Sequence, residues 1–98
     1  MILVVGGRFQ GKQGFCRERF PERKMIIYDG TIDEAGLFKL IDDNPECVVI
    51  TDEIGCGIVP VERECRELVE KVGRVQVRLA QKADEVWRVM CKVGMRIK

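Results

Sequence analysis

A chain of 98 residues, 46% of them hydrophobic and 34% charged, has the length and composition of a single small globular domain rather than a disordered segment. The formal net charge of +1 gives no electrostatic case for binding nucleic acid or an acidic membrane surface. The first apolar run is too short to span a membrane and has no basic segment before it, so we expect a cytoplasmic protein.

Cysteine and histidine usage narrows the possible chemistry. The five cysteines are odd in number and scattered, and none forms a C-x-x-C pair. This pattern argues against a disulfide framework or a zinc site and favours reduced thiols. The chain contains no histidine, so the commonest general base and metal ligand at neutral pH is missing.

The first half of the chain alternates between strand and helix patterns. Residues 2–5 are continuously apolar, as in a central strand covered on both faces, and residues 25–28 predict a second strand. Between them we predict a helix from about residue 11 to residue 20, with Phe15 and Phe20 in the core. Thr31 and Glu34 fit a capping box at the start of a second helix.

The second half continues the alternation. Residues 47–50 predict a third strand, and apolar residues at helical spacing from 61 to 83 predict the longest helix. Gly73 interrupts that pattern and indicates close packing or a kink. A last strand is predicted at about residues 85–91, with a short edge strand at residues 95–98. This order implies an α/β fold in which helices flank a mostly parallel sheet of four to five strands.

A phosphate-binding motif lies at the end of the first strand. Gly6, four further residues and then Gly11-Lys12 have the spacing of a P-loop, although tight packing alone can also explain such a turn. The loop amides would cradle an anion, and Lys12 would supply positive charge to the outer phosphates. A hydroxyl that binds Mg²⁺ is expected next, but the residue there is Gln13, whose amide is neutral and longer. The candidate nucleotide-binding residues are Gly6, Gly7, Arg8, Gln10, Gly11, Lys12, Gln13 and Asp52.

An acidic pair follows the third strand. In a parallel sheet the carboxyl ends of the strands lie at one edge, so Asp52 and Glu53 are expected to face the loop. We predict that this pair holds Mg²⁺ and that Lys12 and Glu53 are the catalytic side chains. The alternative is a solvated turn. Residues 1–98 are thus predicted to form one small, P-loop NTPase-like, three-layer nucleotide-binding domain.

The chain also resembles a known family. Residues 51–60, T-D-E-I-G-C-G-I-V-P, are similar to the N-E-V-G-x-G-I-V-P signature of the bifunctional adenosylcobinamide kinase/adenosylcobinamide-phosphate guanylyltransferases of cobalamin biosynthesis. The likeness extends to the opening M-I-L-V-V-G-G, to Gly73-Arg74, to A-D-E-V at residues 83–86 and to the carboxyl-terminal residues 93–98. This resemblance implies ATP or GTP as ligand, Mg²⁺, a cobinamide-type corrinoid as partner and self-association.

The departures from the family pattern fall on its chemical groups. The family is longer, and its middle carries a histidine that takes up GMP covalently. Without a histidine, guanylyl transfer by that route is excluded. The family's Asn-Gln pair appears here as Gln76-Val77.

Three functions therefore remain open. The first is a kinase-like phosphotransferase, because phosphoryl transfer depends mainly on positioning and electrostatics. The second, slightly favoured, is a non-catalytic module that binds a nucleotide or a corrinoid in regulation or assembly. The third is a relic whose loop binds nothing.

Overall fold

The computed structural model describes the backbone of residues 1–52 and 63–98, and the side chains of residues 1–52 and 67–98. In chain order the elements are β1 (Ile2–Gly6), α1 (Lys12–Arg19), β2 (Met25–Tyr28), α2 (Glu34–Asp43), β3 (Val48–Asp52), α3 (Arg63–Lys82), β4 (Glu85–Met90) and β5 (Val93–Arg96). Glu53 and most of the segment at residues 51–60 lie outside the described residues. Within the described residues, the model contains no helix with the length and apolar character needed to cross a membrane.

The five strands form one sheet in the order β2-β3-β1-β4-β5. β1 is central and pairs in parallel with β3 and β4, while β2 pairs in parallel with β3. Only β5 is antiparallel, and it closes a hairpin with β4 at the edge of the sheet. The predicted three-layer α/β fold with a mostly parallel sheet is confirmed, and the carboxyl ends of four strands lie along one edge.

Alternating side chains of the strands build a core on each face of the sheet. Leu3 and Val49 join residues of α2 and α3, including Leu37, Val75 and Leu79, on one face. Ile2, Val4 and Ile50 pack on the other face with Cys16 of α1 and with Phe20, the C-cap residue of that helix. Phe15 packs against this second core, so both predicted anchors of α1 are confirmed. The sheet is buried between helices, which explains the unbroken apolar runs of its central strands.

The start of α2 differs from the prediction. Its N-cap is Asp33, whose carboxylate accepts a hydrogen bond from the Gly36 N–H. Thr31 instead donates through its N–H and its hydroxyl to Oδ1 of Asp29, at 2.9 and 2.6 Å. The prediction of Thr31 as N-cap was wrong because the nearer carboxylate of Asp29 holds it in a turn.

Two other sequence predictions also need correction. β4 ends at Met90 because Cys91 and Lys92, with φ of 50° and 62°, form a two-residue hairpin turn, so β5 begins at Val93. The predicted edge strand at residues 95–98 was thus two residues late. Gly73 lies inside the continuous helix α3, and no described atom lies within 4 Å of the position a Cβ would take. The described residues thus do not pack closely on Gly73, contrary to the first alternative predicted there, and the kink stays a prediction.

Candidate functional site

The segment between β1 and α1 has the backbone geometry of an open loop. Gly11, the N-cap of α1, has a φ of 80°, a conformation that side-chain-bearing residues rarely adopt. Phe9 also has a positive φ, 59°, and its side chain is 99% exposed. The loop thus turns its aromatic residue out to solvent and keeps its backbone at the carboxyl edge of the sheet.

The loop and the first turn of α1 present hydrogen-bond donors. The N–H groups of Arg8 and Phe9 donate to none of the described residues. The N-terminus of α1 has no side-chain cap, and its first turn carries no acidic residue that would compete with an anion. Free amides at a helix N-terminus form a favourable environment for a phosphate oxygen.

Lys12 links the loop to β3. Its side chain is 9% exposed, and its Nζ donates to the backbone oxygen of Gly7 and to Oδ1 of Asp52, each at 2.7 Å. Nε of Arg8 lies 4.0 Å from Oδ2 of the same carboxylate. The structure therefore brings together three candidate residues that are up to 44 positions apart in the sequence. An ammonium has three donors, so one N–H of Lys12 is left for a ligand.

Gln10 supports the loop from the side of the β4–β5 hairpin. Its Oε1 accepts a hydrogen bond from the N–H of Cys91, and its backbone oxygen accepts one from the N–H of Lys92, both at 2.7 Å. The side-chain oxygen is thus engaged within the protein. Gln10 was predicted to contact a nucleotide, and its geometry suits a role in positioning the loop.

The metal ligands predicted from the sequence are only partly described. Gln13 is exposed, and its Oε1 accepts a 3.4 Å hydrogen bond from Arg17. Asp52 is described but engaged by Lys12, and Glu53 lies outside the described residues. Over residues 1–52 and 67–98, no three acidic or cysteine side chains gather in a way that would hold a metal ion. A Mg²⁺ site thus stays a prediction.

A hollow of about 450 Å³ opens at this edge, within the size range of small-ligand sites. The loop forms one wall, and the ends of β2 and β3 form the other. Its lining residues are Arg8, Phe9, Gln10, Gly11, Lys12, Gln13, Gly14, Ile27, Tyr28, Asp29, Ile50, Thr51 and Asp52.

Sequence reasoning missed Gln76, which fastens α3 to the end of β3. Its Nε2 donates to Oγ1 of Thr51 at 2.8 Å and to the backbone oxygen of Asp52 at 2.7 Å. Both hydrogen bonds hold the end of β3, which carries Asp52, the ion-pair partner of Lys12. The sequence signal was its place in Gln76-Val77, which stands where the family pattern has an Asn-Gln pair.

Tyr28 and Asp29, at the end of β2, were also missed. Hydrogen bonds from the Thr31 hydroxyl and N–H lower the pKa of the Asp29 carboxyl. Burial, with the nearby carboxylates of Glu34 and Asp29, raises the pKa of Tyr28. The phenol therefore keeps its proton at neutral pH, and its hydroxyl has no hydrogen-bond partner among the described residues. The available signal was their place directly after a strand whose carboxyl end faces the loop.

Comparison with known proteins identifies the family. A family model described as cobinamide kinase/cobinamide phosphate guanyltransferase matches residues 31–97, which is more than half of the chain. The match includes α2, β3, α3, β4 and β5, and it does not include β1, the loop or α1.

Two curated relatives carry the name bifunctional adenosylcobalamin biosynthesis protein CobU. The protein from Salmonella typhimurium is 49% identical over 78 residues, which cover 67% of this chain and 43% of the relative. The protein from Escherichia coli is 45% identical over 51 residues, which cover 52% of this chain and 28% of the relative. The matched region spans less than half the length of each relative. Because the family model matches more than half of the chain, the protein belongs to the cobinamide kinase/cobinamide phosphate guanyltransferase family.

Proposed function

We propose that the loop of residues 6–12 binds the phosphates of ATP or GTP and that the protein serves cobalamin biosynthesis as a kinase-like phosphotransferase. The observation that carries the proposal is the position of Lys12, between the Gly7 carbonyl and the Asp52 carboxylate at the uncapped start of α1. Its free N–H and the loop amides would bind phosphate oxygens. Asp52 would orient the ammonium, and Asp52 with Glu53 would hold Mg²⁺.

The printed names of the relatives support the class of reaction. They describe bifunctional adenosylcobalamin biosynthesis proteins, and the family description names a cobinamide kinase. Of the two activities in that description, only phosphoryl transfer fits these residues. A covalent route through histidine has no nucleophile in this chain.

The first experiment is calorimetric titration of ATP and of GTP, with and without Mg²⁺. Lys12→Met keeps the aliphatic stem and removes the charge, so we expect it to weaken nucleotide binding about 10- to 100-fold. Lys39→Met is the matched control, because Lys39 is an exposed lysine of α2 and should leave affinity unchanged. If Lys12→Met binds as tightly as the parent, the loop is not the site. If the parent binds no nucleotide at millimolar concentration, the loop is a relic.

A second candidate function is a non-catalytic nucleotide- or corrinoid-binding module. It is favoured by Gln13, which stands where a metal-binding hydroxyl is expected and is turned toward Arg17. Incubation with cobinamide and labelled ATP or GTP separates the two functions, because only the phosphotransferase forms a labelled corrinoid. If Gln13 is the defect in metal binding, Gln13→Ser should raise Mg²⁺-dependent affinity. An unchanged affinity would mean that the metal site is lacking elsewhere too.

A further inference from the structure

The turn of the β4–β5 hairpin places Lys92 beside the loop. The backbone N–H of Lys92 donates to the backbone oxygen of Gln10, and the N–H of Cys91 donates to Oε1 of the same glutamine, both at 2.7 Å. These bonds hold Lys92 next to the residue that precedes Gly11, the N-cap of α1. A lysine side chain has a flexible four-carbon stem, so the uncapped start of α1 is within reach of the Lys92 ammonium.

Two glycines at the start of α1 make room for the Lys92 stem. Where a Cβ would stand at Gly11, the Cβ and Cγ of Lys92 lie 3.1 and 3.2 Å away. Where a Cβ would stand at Gly14, the Cε of Lys92 lies 3.1 Å away. The stem thus runs along the first turn of α1, through a space that a larger residue at either position would narrow.

The ammonium of Lys92 is held there by a weak ion pair. Its Nζ lies 2.8 Å from Oε1 of Glu18, and the two side chains are 52% and 71% exposed. Ion pairs between exposed groups contribute little, because water and salt screen them. Exchange of the Glu18 carboxylate for another anion therefore costs little free energy.

Lys92 also has a backbone conformation that lysine does not favour. Its φ is 62°, and Cys91 before it has a φ of 50°. Two-residue hairpin turns with positive φ at both positions strongly prefer Asn and Gly. A lysine in such a turn carries backbone strain, and strain of this kind clusters at functional sites.

The loop needs positive charge beyond that of Lys12. A nucleoside triphosphate carries several negative charges, whereas the charge of Lys12 is already paired with Asp52. Arg8 faces the same carboxylate, with its Nε 4.0 Å from Oδ2. Gln13 offers no hydroxyl for Mg²⁺. A further cation at the start of α1 would strengthen phosphate binding through a charge-assisted hydrogen bond.

We infer that Lys92 is a second phosphate-binding lysine. In the empty protein its ammonium contacts Glu18, and when phosphates bind it turns back to one of their oxygens at the start of α1. The inference rests on the proposed function, because that function places the phosphates at the loop. No covalent bond changes in this step, since one ion pair replaces another.

Calorimetric titration of ATP and of inorganic tripolyphosphate, each without Mg²⁺, tests this role. Lys92→Met keeps the aliphatic stem and removes the charge, so it should weaken binding of both ligands about 3- to 10-fold. The loss should be equal for the two ligands, because tripolyphosphate has no nucleoside. A loss for ATP alone would mean that Lys92 contacts the nucleoside, and the assignment to phosphate would be wrong.

Glu18→Gln separates phosphate binding from a purely structural role of the ion pair. It breaks the same pair as Lys92→Met but frees the ammonium, so it should tighten binding of both ligands about two- to threefold. Added to Lys92→Met, it should have no effect, because no ammonium is left to free. If the pair only held the hairpin in place, both single variants would lose affinity.

The exposed ion pair of Asp42 and Lys82, at 2.7 Å, provides the matched control. Asp42→Asn and Lys82→Met break a pair of similar length and exposure away from the loop, so both affinities should stay unchanged. Urea unfolding without ligand checks that every variant is folded before its affinity is compared with that of the parent.

The outcomes separate the inference from the proposed function. Lys92→Met and Glu18→Gln effects of the same sign, or no effect of either, overturn the inference. Binding that Lys12→Met weakens and Lys92→Met does not also overturns the inference and leaves the proposed function standing. A parent that binds neither ATP nor tripolyphosphate at millimolar concentration overturns both.

Discussion

At the scale of single residues, the ion pair between Lys12 and Asp52 contributes both to the electrostatics of the candidate site and to the stability of the protein. The lysine is nearly buried and the carboxylate is half exposed. Removing one member of a partly buried pair leaves the other without its counter-charge, a cost that exposed pairs do not carry. The same contact that prepares the loop for a phosphate therefore also stabilises the empty protein.

Because Lys12 is nearly buried, we predict that its ion pair with Asp52 contributes more to the free energy of unfolding than an exposed ion pair of equal length does. Asp52→Asn keeps the size of the side chain, and we expect it to lower the free energy of unfolding by about 1–2 kcal/mol. Asp42→Asn is the control, because Asp42 pairs with Lys82 at the same 2.7 Å but both side chains are exposed. That variant should cost less than about 0.5 kcal/mol. Urea unfolding measures both, and equal costs would contradict the buried role of Lys12.

Cys16 is expected to make the free energy of unfolding fall at alkaline pH. Burial raises the pKa of its thiol from 9.0 to about 11. Between these values the unfolded chain has lost the proton and the folded protein has kept it, so the free energy of unfolding falls as pH rises. Cys16 alone should account for a loss of about 2 kcal/mol between pH 8 and pH 10.5.

The measurement is urea unfolding of the parent and of Cys16→Ala at those two pH values. Tyr28 and Cys47 also have raised pKa values and will contribute to the alkaline loss in both proteins. The difference between the two losses therefore isolates Cys16. Identical losses would mean that its thiol titrates as in the unfolded chain.

At the scale of elements, the β4–β5 hairpin holds the loop and α1 in place. Its turn donates two hydrogen bonds to Gln10, and Nζ of Lys92 pairs with Glu18 of α1 at 2.8 Å. Gly94 of β5 lies directly under the Phe15 ring, with ring carbons 2.2 Å from where a Cβ would stand. The hairpin is an edge element in the topology, yet it supports the proposed phosphate site.

Two glycine substitutions test this packing. Gly94→Ala forces the Phe15 ring, which also contacts Trp87, to move, so we expect a loss of about 1–3 kcal/mol of stability. Gly73→Ala is the matched change at an uncrowded helix position, where alanine should add about 0.5–1 kcal/mol. Thermal and urea unfolding of both variants measure the effects. Destabilisation by Gly73→Ala would mean that α3 is packed more tightly there than the structure indicates.

At the scale of the whole molecule, the open edge of the sheet bears on self-association. Among the described strands β5 pairs with β4 alone, and the side chains of Val93, Met95 and Ile97 are exposed. An unprotected edge with apolar side chains favours association, and a small domain has a limited core of its own. We predict a homo-oligomer, measured by sedimentation equilibrium. A protein that stays monomeric at about 0.1 mM, a concentration at which even weak association is detectable, would contradict it.

Self-association and nucleotide binding can be measured in the same samples. A ligand that binds only the folded state stabilises it in proportion to the logarithm of its concentration. Nucleotide should therefore raise the melting temperature of the parent and not that of Lys12→Met. Comparing the two proteins at several protein concentrations separates stabilisation by ligand from stabilisation by assembly.

The parts of the fold that follow from local patterns could be predicted from the chain alone. These parts depend on residues that are close together in the sequence. They are the order of strands and helices, the spacing of the loop, and the core residues Phe15 and Phe20. Errors appeared where two polar neighbours compete, as at Asp29, Thr31 and Asp33. Only the folded geometry decides which carboxylate a given N–H reaches.

Tertiary structure decided how the site is assembled. Gln76 reaches Thr51 across 25 positions and the Cys91 N–H reaches Gln10 across 81, and no local periodicity encodes such pairs. The unpartnered hydroxyl of Tyr28 also becomes visible only when its surroundings are known. The sequence by itself determined the order of elements, the phosphate-loop spacing and the absence of histidine from these 98 residues, because these are properties of neighbouring residues or of composition. The strand order, the Lys12–Asp52 contact and the Gln76–Thr51 contact were decided by packing, because they join segments that only folding brings together.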